Sequence, residues 1–95
     1  MSEQKPRVAV TYCTQCGWML RAAWMAQELL STFGADLGEV ALVPGTGGVF
    51  RVEVGGELIW ERKRDGGFPD APTLKQKVRD VAFPERELGH SDRRK

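Results

Sequence analysis

Cysteine and histidine are scarce in this 95-residue chain, and the scarcity narrows its chemistry. There are two cysteines and one histidine. Cys13 and Cys16 form a Cys-x-x-Cys, which is half of a zinc site. No third or fourth cysteine exists, and His90 falls in a polar C-terminal stretch, so no metal is expected and a metal carrier would need ligands from a second molecule. Covalent haem attachment needs a histidine directly after the second cysteine, where this chain has Gly17. Long apolar runs are missing as well. The polar residues 1–7 have no apolar segment behind them, and no stretch is long enough to span a bilayer, so neither a membrane nor a secretion signal is expected. Charge of one sign is also lacking: 14 Lys and Arg against 13 Asp and Glu give a net charge of +1, which leaves no electrostatic reason to expect nucleic acid. These absences describe one small globular domain, expected to be cytoplasmic. In that compartment a cysteine pair is more often catalytic or redox-sensing than a permanent staple.

What is present is organised around residues 8–18. The β-branched run at residues 7–12 reads as a central strand, and a helical pattern begins behind the Cys-x-x-Cys. Trp18, Ala22, Met25, Leu29 and Phe33 recur at helical steps from Cys16 to Phe33, with Gly34 as the stop. Both sulfurs are therefore expected at a strand end and a helix start, where unpaired N–H groups and the macrodipole favour a thiolate. Residues 39–43 form a second strand that ends at the loop Pro44-Gly45-Thr46-Gly47-Gly48. Residues 49–54 and 57–62 alternate in the strand period around Gly55-Gly56, a tight hairpin. Residues 62–68 are a charged, glycine-bearing loop. Asp70 then caps a helix with Pro72 in its first turn and Leu74, Val78 and Val81 on one face, ended by Pro84. The chain divides into an N-terminal arm at 1–6, a folded domain at 7–84 and a charged flexible tail at 85–95.

The order is β-α-β-β-β-α. A crossover helix makes the first two strands parallel, so both end at the edge that carries the cysteines. The 44–48 linker has no room for a helix, so the third strand returns antiparallel and the fourth comes back again. Three loops, at 13–17, 44–48 and 65–68, should then be neighbours in space, and both helices should lie on one face of the sheet. Regular pairing across Gly55-Gly56 sets Val54 opposite Glu57, Val52 opposite Ile59 and Phe50 opposite Glu61 under the helices. It leaves Glu53 opposite Leu58, Arg51 opposite Trp60 and Val49 opposite Arg62 on the open face. Trp60 on that face would suit a partner or a weak homodimer.

Three stretches together resemble the Rdx family of thioredoxin-like proteins, which includes selenoproteins W, T and H and their cysteine-containing bacterial relatives. They are Tyr12-Cys13-Thr14-Gln15-Cys16, Gly47-Gly48-Val49-Phe50-Arg51-Val52 and Arg62-Lys63-Arg64-Asp65-Gly66-Gly67-Phe68-Pro69. The resemblance covers residues 7–83. It implies a thioredoxin-like α/β fold with a four-stranded mixed sheet, and a thiol oxidoreductase role linked to glutathione, with no other cofactor. The family's selenocysteine falls at the position of Cys16, whereas thioredoxin geometry favours attack by Cys13. Thr14 and Gln15, the loop residues Gly45, Thr46, Gly47 and Gly48, and Gly66, Gly67 and Phe68 are the expected substrate contacts, with the glycines offering bare backbone in place of thioredoxin's cis-proline. The expected partners are thiol or disulfide proteins and glutathione. The competing reading is a protein-binding module whose cysteines only sense oxidation.

Overall fold

The computed structural model describes residues 5–89. Strand β1 (Arg7–Cys13) is followed by helix α1 (Met19–Phe33), a single 3-10 turn, and strand β2 (Glu39–Gly45). Strands β3 (Phe50–Val54) and β4 (Glu57–Glu61) form the hairpin. A one-turn helix α2 (Arg62–Asp65) and helix α3 (Ala71–Ala82) complete the order. The sheet runs β2-β1-β3-β4, with β1 parallel to β2 and antiparallel to β3, and β3 antiparallel to β4. Pro44 lies inside β2, which is tolerated because β2 is an edge strand.

Alternation along the two central strands sends Val8, Val10, Phe50, Val52 and Val54 to one face. There they pack with Met25, Leu29 and Phe33 of α1 and with Leu74 and Val78 of α3. Both long helices therefore cover the same face. Lys75 on α3 pairs with Glu28 on α1 at 2.9 Å, tying the two together. The N-terminus of α3 is built as the residues dictate, with the Asp70 carboxylate accepting from the Thr73 amide at 2.8 Å and proline in the first turn.

The hairpin departs from regular pairing. Val54 does face Glu57 and Glu53 faces Leu58, but Val52 then faces Trp60 and Arg51 faces Glu61, so Ile59 is the extra residue of a β-bulge. The shift turns Trp60 onto the helix side, where it is 9% exposed, and its indole Nε1–H donates to Gly67 O at 2.9 Å. The open-face position expected for Trp60 is thus corrected: a buried tryptophan cannot anchor a partner there, and Leu58, 38% exposed, is the large apolar residue that β4 leaves on the surface. Two smaller differences occur at the ends. Residues 62–65 are helical where a loop was expected, capped by the Glu61 carboxylate on the Arg64 amide at 2.7 Å. Within the segment expected to be a flexible tail, Arg86 stacks on Phe83 and pairs with Asp36, and Leu88 packs on the core. Residues 90–95 of that segment, with His90, and residues 1–4 of the arm lie outside the described residues.

Candidate functional site

Cys13 is the last residue of β1 and is buried, whereas Cys16 is exposed on the turn that follows. The sulfurs are 2.8 Å apart, with the Cys16 thiol donating to Cys13. An S–S bond measures about 2.05 Å, so little movement separates this pair from a disulfide. The turn is pinned at Thr14, whose amide and hydroxyl both donate to Gly45 O, at 3.0 and 3.1 Å. Gln15 is exposed at its tip.

The helix does not start at Cys16. Gly17 takes a left-handed φ of 74°, which breaks the helical path, and α1 begins at Met19 behind Trp18. Cys16 therefore lies ahead of the helix, and the expected stabilisation of the sulfurs by the helix start is replaced by a local device. The hydrogen bond from Cys16 holds the pKa of Cys13 below its ordinary thiol value. Burial opposes this, and the backbone amides of Gly48, Cys16 and Gln15 reinforce it. Cys16 is raised, first by giving its hydrogen bond to Cys13, then by desolvation and by the Cys13 charge, while the Arg62 cation and the Gly48 amide pull the other way. Of the two thiols, Cys13 is thereby the readier to give up its proton and Cys16 the readier to keep it.

The three loops do meet. Gly45 is held to the cysteine turn, the Arg62 side chain donates from Nε to Gly48 O at 3.3 Å, and the Trp18 and Phe68 rings are edge to face at 4.9 Å. Phe68 also meets Phe50 at 4.9 Å and carries the Arg21 guanidinium 4.3 Å above its ring, so it works as a wedge between loop and core. The carbonyls of Gly45 and Gly48 are already occupied, by Thr14 and Arg62, and are not bare as expected. Gly66 and Gly67 donate their amides to Arg62 O at 2.9 Å, and Gly67 O receives Trp60; both serve the loop's own shape. Thr46 and Gly47 are exposed at the loop tip. Arg62 and Trp18 were missed as site residues. The sequence signal for Arg62 was its place at the head of the third loop, although alternation assigned it to the open sheet face.

Among the described residues no three His, Cys, Asp or Glu side chains gather as metal ligands, and no helix is long and apolar enough to cross a membrane. Solved structures with this architecture include a protein from Bordetella parapertussis, 73% identical with a TM-score of 0.80, covering 81% of this chain and 98% of that one. The selenoprotein W-related protein from Vibrio cholerae is 53% identical with a TM-score of 0.81, covering 83% of this chain and 99% of that one. Migration and invasion enhancer 1 from Bos taurus is 29% identical over 73 residues, which are 77% of this chain and 62% of that relative's length. The thioredoxin-like α/β fold follows from these structures. Residues 7–80 match the Rdx family model, and the chain belongs to the Rdx family.

Proposed function

We propose that this protein is a thiol–disulfide oxidoreductase whose redox pair is Cys13 and Cys16. The observation that supports it is the sulfur pair itself: 2.8 Å apart, joined by a hydrogen bond from Cys16, one sulfur buried and the other open to solvent. An incoming disulfide meets Cys16, because Cys13 has no exposed surface. The Cys13 thiolate takes the proton from Cys16, and the Cys16 thiolate attacks a substrate disulfide. A mixed disulfide forms and one substrate thiolate leaves. Cys13 then loses its proton to solvent, assisted by the amides of Gly48, Cys16 and Gln15, and attacks the Cys16 sulfur. The ring closes and the second substrate thiolate departs, so two electrons have passed from the cysteine pair to the substrate. Two thiols of the glutathione class return the pair to the reduced state by the reverse exchange. In this reading Thr14, Gln15 and Thr46, exposed around Cys16, line the approach of a peptide or glutathione disulfide in a reducing compartment such as the cytoplasm.

Titration in a glutathione redox buffer, followed by thiol-specific mass labelling, tests the pair. Both thiols should disappear together in one two-electron step, and independent labelling at every poise removes the reading. Cys13→Ser should trap mixed disulfides on Cys16, whereas Cys16→Ser should trap few, because its remaining sulfur is buried. The reverse pattern would make Cys13 the attacking thiol.

A further inference from the structure

We propose that Arg62 is a positioning residue for the thiol pair: it locks the glycine loop against the sulfurs and keeps a positive charge beside Cys16. This rests on the oxidoreductase reading. One side chain joins the three loops. Its Nε–H donates to Gly48 O at 3.3 Å, its guanidinium lies 5.0 Å from the centre of the Trp18 ring, and its own carbonyl receives the Gly66 and Gly67 amides. A β-carbon on Gly48 would lie 3.5 Å from Arg62 Nη2, so the guanidinium runs along the residue whose amide favours the thiolate at both cysteines. A planar guanidinium can donate in its plane and stack on an indole at once, which an ammonium cannot do.

The charges acting on Cys16 are Cys13 on β1 and Arg62 at the head of α2. Other cations of the flanking elements are engaged differently: Arg21 of α1 lies over Phe68, and Arg64 of α2 is paired with Asp65 at 2.7 Å. Lys63 of α2 is exposed. Arg62 matters once Cys16 has given its proton to Cys13. The Cys13 charge that opposed a Cys16 thiolate is then neutralised, and the Arg62 cation favours the new thiolate until it attacks the substrate sulfur.

The test reads acidity and not turnover. In a Cys13→Ser background only Cys16 reports, and its alkylation by iodoacetamide is followed against pH. Adding Arg62→Met should raise the midpoint by about half a unit to one unit, which slows alkylation at pH 7 by about 3- to 10-fold. Arg62→Lys should recover part of the shift, and salt near 1 M should shrink the difference between Arg62 and Met. An unmoved midpoint in a folded Arg62→Met variant overturns the proposal, as does a shift that Arg62→Lys leaves undiminished. Should Arg62→Met fail to fold, the salt series on Cys13→Ser alone decides, because a midpoint indifferent to salt rejects the charge. A flat result here leaves the oxidoreductase reading standing, and a failed redox titration removes that reading whatever the alkylation shows.

Discussion

Gly45 pairs with Cys13 at the ends of β2 and β1, and its importance lies in space, not in backbone conformation. A β-carbon there would lie 2.8 Å from Val49 Cγ1, 3.3 Å from Thr11 Cγ2 and 3.4 Å from Tyr12 O. Carbon pairs rest at about 3.5 to 4.0 Å, and a β-branched neighbour has few rotamers in which to retreat, so Gly45→Ala overpacks the site. Overpacking of this kind costs about 1 to 3 kcal/mol. In a domain of this size each kcal/mol shifts the melting temperature by about 4 to 8 °C, so a fall of about 4 to 24 °C is expected. The same change pushes on the carbonyl that takes both hydrogen bonds from Thr14, so disulfide closure between Cys13 and Cys16 should also slow. Val49→Ala removes the nearest obstacle. The double variant should therefore recover most of the stability and closure rate, with a favourable coupling of at least about 1 kcal/mol in a double-mutant cycle measured by denaturant unfolding. Additivity within about 0.5 kcal/mol would refute the reasoning, because Val49 would then not be what the β-carbon strikes.

Trp60→Phe keeps an aromatic ring but loses the Nε1–H bond to Gly67 O, and should lower the unfolding free energy by at least about 0.5 to 1.5 kcal/mol; a tryptophan lying on the surface would show no change. Asp70→Ala removes the cap of α3 and should cost about 1 kcal/mol at pH 7, whereas Asp70→Asn, which still caps, should cost less. The hydrogen bonds from the Thr73 side chain and amide hold the Asp70 carboxyl below the ordinary range, so its contribution is complete above the unfolded value of about 3.9 and fades as pH falls through the folded one. Asp70→Asn should accordingly flatten the acid limb of a stability-against-pH curve, and an unchanged limb would show that other carboxyls govern it.

Much of the fold was legible because local signals agreed with one another. Asp70, Pro72 and the Leu74–Val78 spacing mark the start and buried face of α3 without reference to anything distant. The missing crossover between β2 and β3 is a matter of linker length, and it fixes strand direction and brings the three loops together. What was not legible depended on competition between equally local alternatives. Leu58-Ile59-Trp60 is apolar throughout, so period-2 alternation accommodates Trp60 outside as readily as a bulge places it inside. Burial and the hydrogen bond to Gly67 decide between them, and neither has a local signature. The start of α1 was a different kind of miss, since Gly17 stood in the sequence as a breaker and helical periodicity was carried across it. The glycine loop shows both outcomes: Gly47 and Gly48 take left-handed φ values of 73° and 76°, as a turn predicts, while Gly45 is required by Val49, a contact that no motif announces.

The bulge, far from the sulfurs in sequence, also helps to build the site. By absorbing Ile59 it advances the register of β4 one residue, so Trp60 faces the core and Glu61 ends the strand opposite Arg51. Trp60 then holds Gly67 through its indole, the Asp65 carboxylate accepts from the Glu61 amide at 2.9 Å, and the Glu61 carboxylate caps Arg64, so the short helix is fixed at both ends to the strand it leaves. Arg62 is thereby delivered beneath Gly48 and beside Trp18, and Phe68 is delivered between Trp18 and Phe50. Regular pairing would have put Arg62 opposite Val49 on the open face of the sheet. The charge beside Cys16 therefore depends on a one-residue irregularity in β4, and a change that straightens the hairpin acts on the thiol pair without touching either sulfur.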